Sequence, residues 1–130
     1  MTTKELGELG ERIACEYLVK KGFKILGRNY RITFGEIDII AKKALKWFSK
    51  TDKTIHFVEV KAIMNNNSFF PEQHVDHKKQ QKLRRMAEIW LQKNNYPQGF
   101  PYQIDVIGIL VNETTRNAKL HFFPNAVGDI

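Results

Sequence analysis

In "FVEVKA", residues Phe57 to Ala62, a carboxylate and an ammonium interrupt the most apolar strand-like run of the chain. Ile55, Phe57, Val58 and Val60 favour a buried strand. Successive side chains of a strand alternate faces, so Glu59 and Lys61 point the same way, roughly 7 Å apart along it. Charges there are costly unless a metal ion, a partner charge or a polar cleft compensates them. The chain must therefore bury this strand while giving two of its side chains a polar surrounding.

At 130 residues the chain is long enough for one domain with a real core, and 42% hydrophobic residues without a membrane-spanning run fit a soluble globular protein. Residues 1–124 are read as that domain and 125–130 as a C-terminal tail. The opening segment, "MTTKELGELGERIACEYL", is amphipathic and acidic rather than signal-like. A single cysteine, Cys15, excludes an internal disulfide, fits a reducing cytoplasm and is expected to be inert. A formal charge of +7 favours a polyanionic partner, nucleic acid above all; with no membrane-spanning run, no membrane partner is expected.

Leu6, Leu9, Gly10, Ile13, Ala14 and Tyr17 recur at helical spacing, and Gly22 closes that helix. Strand patterns follow in "FKILGRNYRI", "GEIDIIAKK" and "KTIHFVEVKAI", with a turn region "ALKWFSKTD" before the last. After the loop "NNNSFFPEQ", a second helix is predicted from Asp76 to Lys93, with Leu83, Met86, Ala87, Trp90 and Leu91 on its apolar stripe. "NNYPQGFP" breaks the chain before the strands "YQIDVIGILV" and "KLHFF". The order α-β-β-β-α-β-β predicts an α/β fold, a mixed central sheet flanked by helices.

In "GEIDIIA", alternation puts Ile37 and Ile39 on one face and Glu36, Asp38 and Ile40 on the other. Asp38 thus sits among strand hydrophobics, as Glu59 does, on what should be an adjacent strand. Two carboxylates in one pocket repel unless a proton or a divalent cation lies between them. Oxygen ligands with open positions favour Mg²⁺ or Mn²⁺, and a lysine beside a metal-bound water can orient it or stabilise charge on a phosphate. Along the second helix, Lys79 and Gln80 fall in the sector of the apolar stripe and require polar partners, which a cleft holding a phosphate would supply. Lys78, Lys82 and Arg85 share another face and are suited to track a nucleic-acid backbone.

An acidic residue followed after about twenty residues by Glu-x-Lys is the signature of the PD-(D/E)xK nucleases. The segments "GERIACEYLVKKGFKILGRNYR", "GEIDIIA", "FVEVKA", "KKQQKLRRMAEIWL" and "IDVIGI", from about Leu9 to Val111, resemble the YraN family of predicted endonucleases, relatives of the archaeal Holliday-junction resolvases. The resemblance implies a restriction-endonuclease-like α-β-β-β-α-β core and a metal-dependent endonuclease acting on branched or otherwise structured DNA. It implies Asp38, Glu59, the Val60 carbonyl and Glu11 as holders of Mg²⁺ or Mn²⁺, Lys61 as the catalytic lysine, and a homodimer. Periodicity leaves Glu11 and Glu16 open, since they flank opposite edges of the helix stripe; only the resemblance selects Glu11. The superfamily's proline is replaced by Ile37, as is usual in this family. Ile63 and Gln103 stand where many relatives carry arginine.

Each motif has a plainer reading. Glu59 and Lys61 alone would read as an ion pair on an exposed strand end, and the basic helix run as a solvated face. Glu36 reads as a rim residue or as an aid to the site, the rim being favoured. His74 and His77 have a spacing seen in zinc sites but lack further ligands, and His56 and His121 read as structural. Asp105 lies in an apolar strand and reads as structural or as a support to the site residues. Trp47, Phe48, Phe69 and Phe70 suit base stacking or a dimer contact, with core packing the default. Asp38, Glu59, Lys61 and the fold order together favour the endonuclease. The main rival is a non-catalytic nucleic-acid-binding module with a vestigial nuclease cleft.

Overall fold

The structure, a computed structural model, describes residues 1–44, 52–65 and 77–126. Trp47, Phe48, Phe69, Phe70 and His74 lie outside the described residues, as does the side chain of His77.

Helix α1 spans Thr3–Lys20. Thr2 starts it with a reciprocal cap: its hydroxyl accepts the Glu5 N–H at 3.0 Å, while its own N–H donates to the Glu5 carboxylate at 2.9 Å. Beyond the C-terminus Gly22 turns the chain at φ 93°, a backbone region glycine enters without strain. Gly10, Ala14 and Leu18 form the innermost line of α1, each one turn from the next. Two of them are small because the helix lies close to the sheet: a Cβ on Gly10 would stand 2.7 Å from that of Ala62.

The strands are β1 (Phe23–Ile32), β2 (Gly35–Lys43), β3 (Ile55–Asn65), β4 (Tyr102–Asn112) and β5 (Ala118–Phe123), with helix α2 (His77–Lys93) between β3 and β4. They form one five-stranded sheet in the order β1-β2-β3-β4-β5. β3 and β4 are parallel and the other neighbours antiparallel. A parallel pair needs a crossover connection, and α2 lies within it.

Each helix covers one face. Ala14 and Leu18 pack with Ile39, Ala41, Val58, Ile107, Ile109 and Val111. Leu83, Met86, Ala87, Trp90 and Leu91 pack with Ile37, Ile40, Ile55, Phe57, Ile104 and Val106. β3 and β4, buried on both sides, consequently read as nearly continuous apolar runs. No helix of the described residues is long and apolar enough to cross a membrane.

Besides the register shift between Ile25 and Gly27 of β1, strict alternation fails within β2. Ile37 packs with Ile40 on the α2 side, whereas Ile39 packs on the α1 side. Ile37 and Ile39 therefore do not share a face, contrary to the reading of β2 as a regular strand. The interruption falls at Asp38. Opposite it, Asn29 adopts φ 53°, and the β1–β2 register passes from Arg28↔Ile39 to Tyr30↔Ile37 with no pair between them. A left-handed residue within a strand bends it, and asparagine tolerates that conformation better than most.

Candidate functional site

The β2–β3 ladder ends at Ile39↔Val58, immediately before Asp38 and Glu59. Past that point the Asp38 carboxylate takes over the pairing by accepting the Val60 N–H at 2.7 Å. Val60, Ala62 and Met64 pack on the α1 side, so Glu59 and Lys61 share the opposite, α2-facing side, as strand alternation predicts.

A cleft of about 530 Å³ opens here, walled by Gly35, Glu36, Asp38 and Glu59 from the sheet and by Lys78, Lys79, Lys82, Leu83 and Met86 from α2. Glu59 pairs with Lys79, Nζ to Oε1 at 2.5 Å, with the Glu59 side chain only 16% exposed. Its other oxygen, Oε2, is buried and has no hydrogen-bond partner among the described residues. Glu59 is thus paired with a lysine of the helix packed across the sheet.

Glu11 reaches the site from α1 and is half-buried, whereas Glu16 is exposed. With the Asn29 amide oriented to satisfy both carboxylates, its nitrogen donates to Glu11 Oε1 at 2.8 Å and to Glu36 Oε1 at 3.1 Å. Glu36 also pairs with Arg31 at 3.2 Å. Glu36 is more than a rim residue: it walls the cleft and shares a donor with Glu11. The sequence carried a signal for this in Asn29, a left-handed former inside a strand pattern.

Electrostatics bind these residues together. Burial, reinforced by the charges of Glu11, Glu59 and Glu36 and opposed by the Val60 N–H, pushes the Asp38 carboxyl up to about 6. Burial also raises Glu11, with Glu36 adding to the effect and Arg28 and Asn29 opposing it. The cleft concentrates negative charge and has a cationic wall on α2.

The donor set suits a hard divalent cation: carboxylate oxygens, one of them buried without a partner among the described residues, beside a carboxyl that burial, reinforced by its acidic neighbours, disfavours as an anion. Among the described residues no three His, Cys, Asp or Glu side chains are grouped closely enough to enclose an ion. An ion here would rest on Asp38 and Glu59 and draw its remaining ligands from backbone and water, as magnesium commonly does.

Of the α2 residues singled out from sequence, Lys78, Lys79 and Lys82 wall the cleft. Lys78 and Lys82, assigned by periodicity to a separate face, share it with Lys79. The described wall does not include Gln80 or Arg85, and the Arg85 guanidinium lies 5.0 Å over the Phe34 ring. Lys61 is part-buried on the same face as Glu59 but outside that wall. Asp105 belongs elsewhere: it is fully buried and bonded to His56 on the α1 side of the sheet. His121 is exposed and stacks on Phe123 at 4.2 Å. Burial raises the Cys15 thiol above its ordinary range.

A mixed five-stranded sheet between two helices, with an acid pair at the splayed ends of β2 and β3, defines an α/β protein of the restriction-endonuclease-like type. Residues 10–109 match the family described as "Uncharacterised protein family UPF0102", and the chain belongs to that family, to which the YraN motifs also point. It is 39% identical to the UPF0102 protein of Clostridioides difficile, over 95% of this chain and 100% of the relative. Identity is 35% to the UPF0102 protein of Dictyoglomus turgidum, over 97% and 99% of the two chains. It is 43% to that of Campylobacter jejuni subsp. doylei, over 79% and 81%.

Proposed function

We propose that this protein is a metal-dependent endonuclease hydrolysing DNA phosphodiester bonds, with branched or otherwise structured DNA as its preferred substrate. The observation that carries this reading is the meeting of Asp38 and Glu59 in one lysine-walled cleft, where the β2–β3 ladder ends.

In this reading Asp38, Glu59 and the Val60 carbonyl would hold Mg²⁺ or Mn²⁺, with Glu11 contributing directly or through water. The bound ion supplies Lewis-acid polarisation of the phosphate and a more acidic water. Lys61, on the Glu59 face of β3, would orient the attacking water toward phosphorus. Lys79 pairs with Glu59, and Lys78 and Lys82 hold the flanking phosphates, with Arg85 further along the helix. Cleavage leaves a 5′-phosphate and a 3′-hydroxyl. A homodimer and a cytoplasmic location, consistent with a single cysteine, belong to the same reading.

One observation favours a second reading, a nucleic-acid-binding module without turnover. Lys79 already neutralises Glu59 with a cation of the protein's own. Cleavage assays with Mg²⁺ or Mn²⁺ on duplex, flap, single-stranded and four-way-junction DNA separate the two, with Lys61→Ala as control. Ion-dependent cutting lost in the variant supports the endonuclease. Binding at low salt with no cutting of any substrate supports the module.

A further inference from the structure

The opposite face of the sheet carries a second polar constellation. His56 and Glu59 are three residues apart on β3, so their side chains leave it on opposite faces, roughly 10 Å apart along the strand. Asp105 is fully buried, and its Oδ2 lies 2.6 Å from His56 Nδ1. Its Oδ1 accepts the Gln103 side-chain amide and the Asn125 N–H, both at 2.7 Å. With Asp105 acting as acceptor throughout, His56 gives it the Nδ1 hydrogen, leaving Nε2 as the ring atom free to engage something else. The ring is held edge-on by Phe23 at 4.9 Å.

Nε2 is buried within a residue only 5% exposed, and it has no hydrogen-bond partner among the described residues. A desolvated ring nitrogen without a partner calls for explanation. His56 forms part of the wall of a cavity of about 350 Å³, together with Tyr17, Lys21, Lys43, Gln103 and Phe122. That volume is at the small end of small-molecule sites, roughly 300–1,000 Å³. The wall also contains Asp52, which is committed to Lys43 at 3.1 Å and to the Thr54 N–H at 3.1 Å. Two ammonium groups thus face one engaged carboxylate, beside the imidazole. The tilted rings of Tyr17 and Phe122, 6.0 Å apart, give the cavity an aromatic side.

We propose that this cavity binds a phosphate monoester. The P–OH of the phosphate monoanion donates to His56 Nε2, Lys21 and Lys43 supply counter-charge, and the esterified group rests against Tyr17 and Phe122. Asp105 is the positioning residue that fixes the imidazole. The site shares no residue with the acidic cleft and stands or falls independently of the nuclease reading. A monoester has two sources, a free mononucleotide or the phosphorylated end of a strand.

The test is a titration of ¹⁵N-labelled protein, following the His56 ring resonances. The probes are inorganic phosphate, adenosine monophosphate, and an oligonucleotide with and without a 5′-phosphate. The phosphorylated probes should shift the His56 signals, and Lys21→Gln with Lys43→Gln should weaken binding about tenfold or more. Both lysines are exposed, so the double variant keeps the fold. Stronger binding of the mononucleotide assigns a free ligand, and stronger binding of the phosphorylated oligonucleotide assigns a strand end. The proposal is overturned if the His56 signals stay unmoved up to about 10 mM of every probe, a concentration that would reveal even millimolar affinity. Shifts that persist unchanged in the double lysine variant also overturn it.

Discussion

The Asp38 carboxylate accepts the Val60 N–H at 2.7 Å, across the point where β2 and β3 stop pairing. This bond ties Asp38 to the segment that carries Glu59 and Lys61. It also explains why a costly buried carboxyl does not swing out into solvent: a backbone donor that has lost its strand partner holds it in place.

The first prediction concerns pH. The Asp38 carboxyl rises from 3.8 to about 6, so the native state prefers it protonated. Its contribution to stability is complete below about pH 4 and is lost as the pH rises through 6. Asp38→Asn, which keeps an acceptor for Val60, should be more stable than the parent by roughly 2 kcal/mol at pH 7.5. The difference should shrink toward zero near pH 4. Urea unfolding across this range decides the matter, and parallel pH profiles for the two proteins would show that Asp38 is not the titrating group.

Lys79→Met should destabilise the protein by about 1–2 kcal/mol, because it leaves the Glu59 carboxylate mostly buried and without its ammonium partner. If Glu59 binds a divalent cation, Mn²⁺ should restore much of that loss and raise Tm more in the variant than in the parent. Thermal unfolding with and without Mn²⁺ measures both effects. No response to Mn²⁺ in either protein would remove Glu59 from any metal site.

Binding and chemistry should separate by residue. Lys61→Ala should abolish cleavage while changing DNA affinity little, since its proposed role is at one phosphate. Changing Lys78, Lys82 and Arg85 together to Ala should weaken binding to all sequences and flatten its salt dependence by about one unit of slope per lost phosphate contact. Equal losses of affinity in the two variants would make Lys61 one more surface charge.

Gly10→Ala should be costly despite the higher helix propensity of alanine. The added methyl would meet the Ala62 Cβ at 2.7 Å, and neither α1 nor β3 can yield without disturbing a packed face. A loss of about 1–3 kcal/mol is expected in chemical denaturation. Gly7→Ala, where a Cβ meets nothing within 4 Å, is the control and should be neutral or stabilising.

Much of this architecture is local in origin and so legible along the chain. The bounds of β1 and β2 follow from their strand patterns, and the innermost residues of α2 follow from helical spacing. Glu59 and Lys61 on one face follow from the pleat of an undistorted strand. Beyond these, the errors are instructive. Ile37 changes face where Asn29, opposite Asp38 on another strand, takes a left-handed conformation, which no pattern within "GEIDIIA" encodes.

By itself, the sequence determined the elements, their order, and the oddity of charges at Asp38, Glu59 and Lys61, because these depend on spacings of a few residues. Tertiary structure decided what those charges meet. It turned Glu11 rather than Glu16 inward, set Lys79 against Glu59, made Glu36 a wall of the cleft, and sent Asp105 to His56 on the far side of the sheet. Each such pairing joins residues distant in sequence through strand register and the placement of a helix across the sheet. Side-chain periodicity assigns a residue to a face, but only the packing of the other elements determines what stands opposite it.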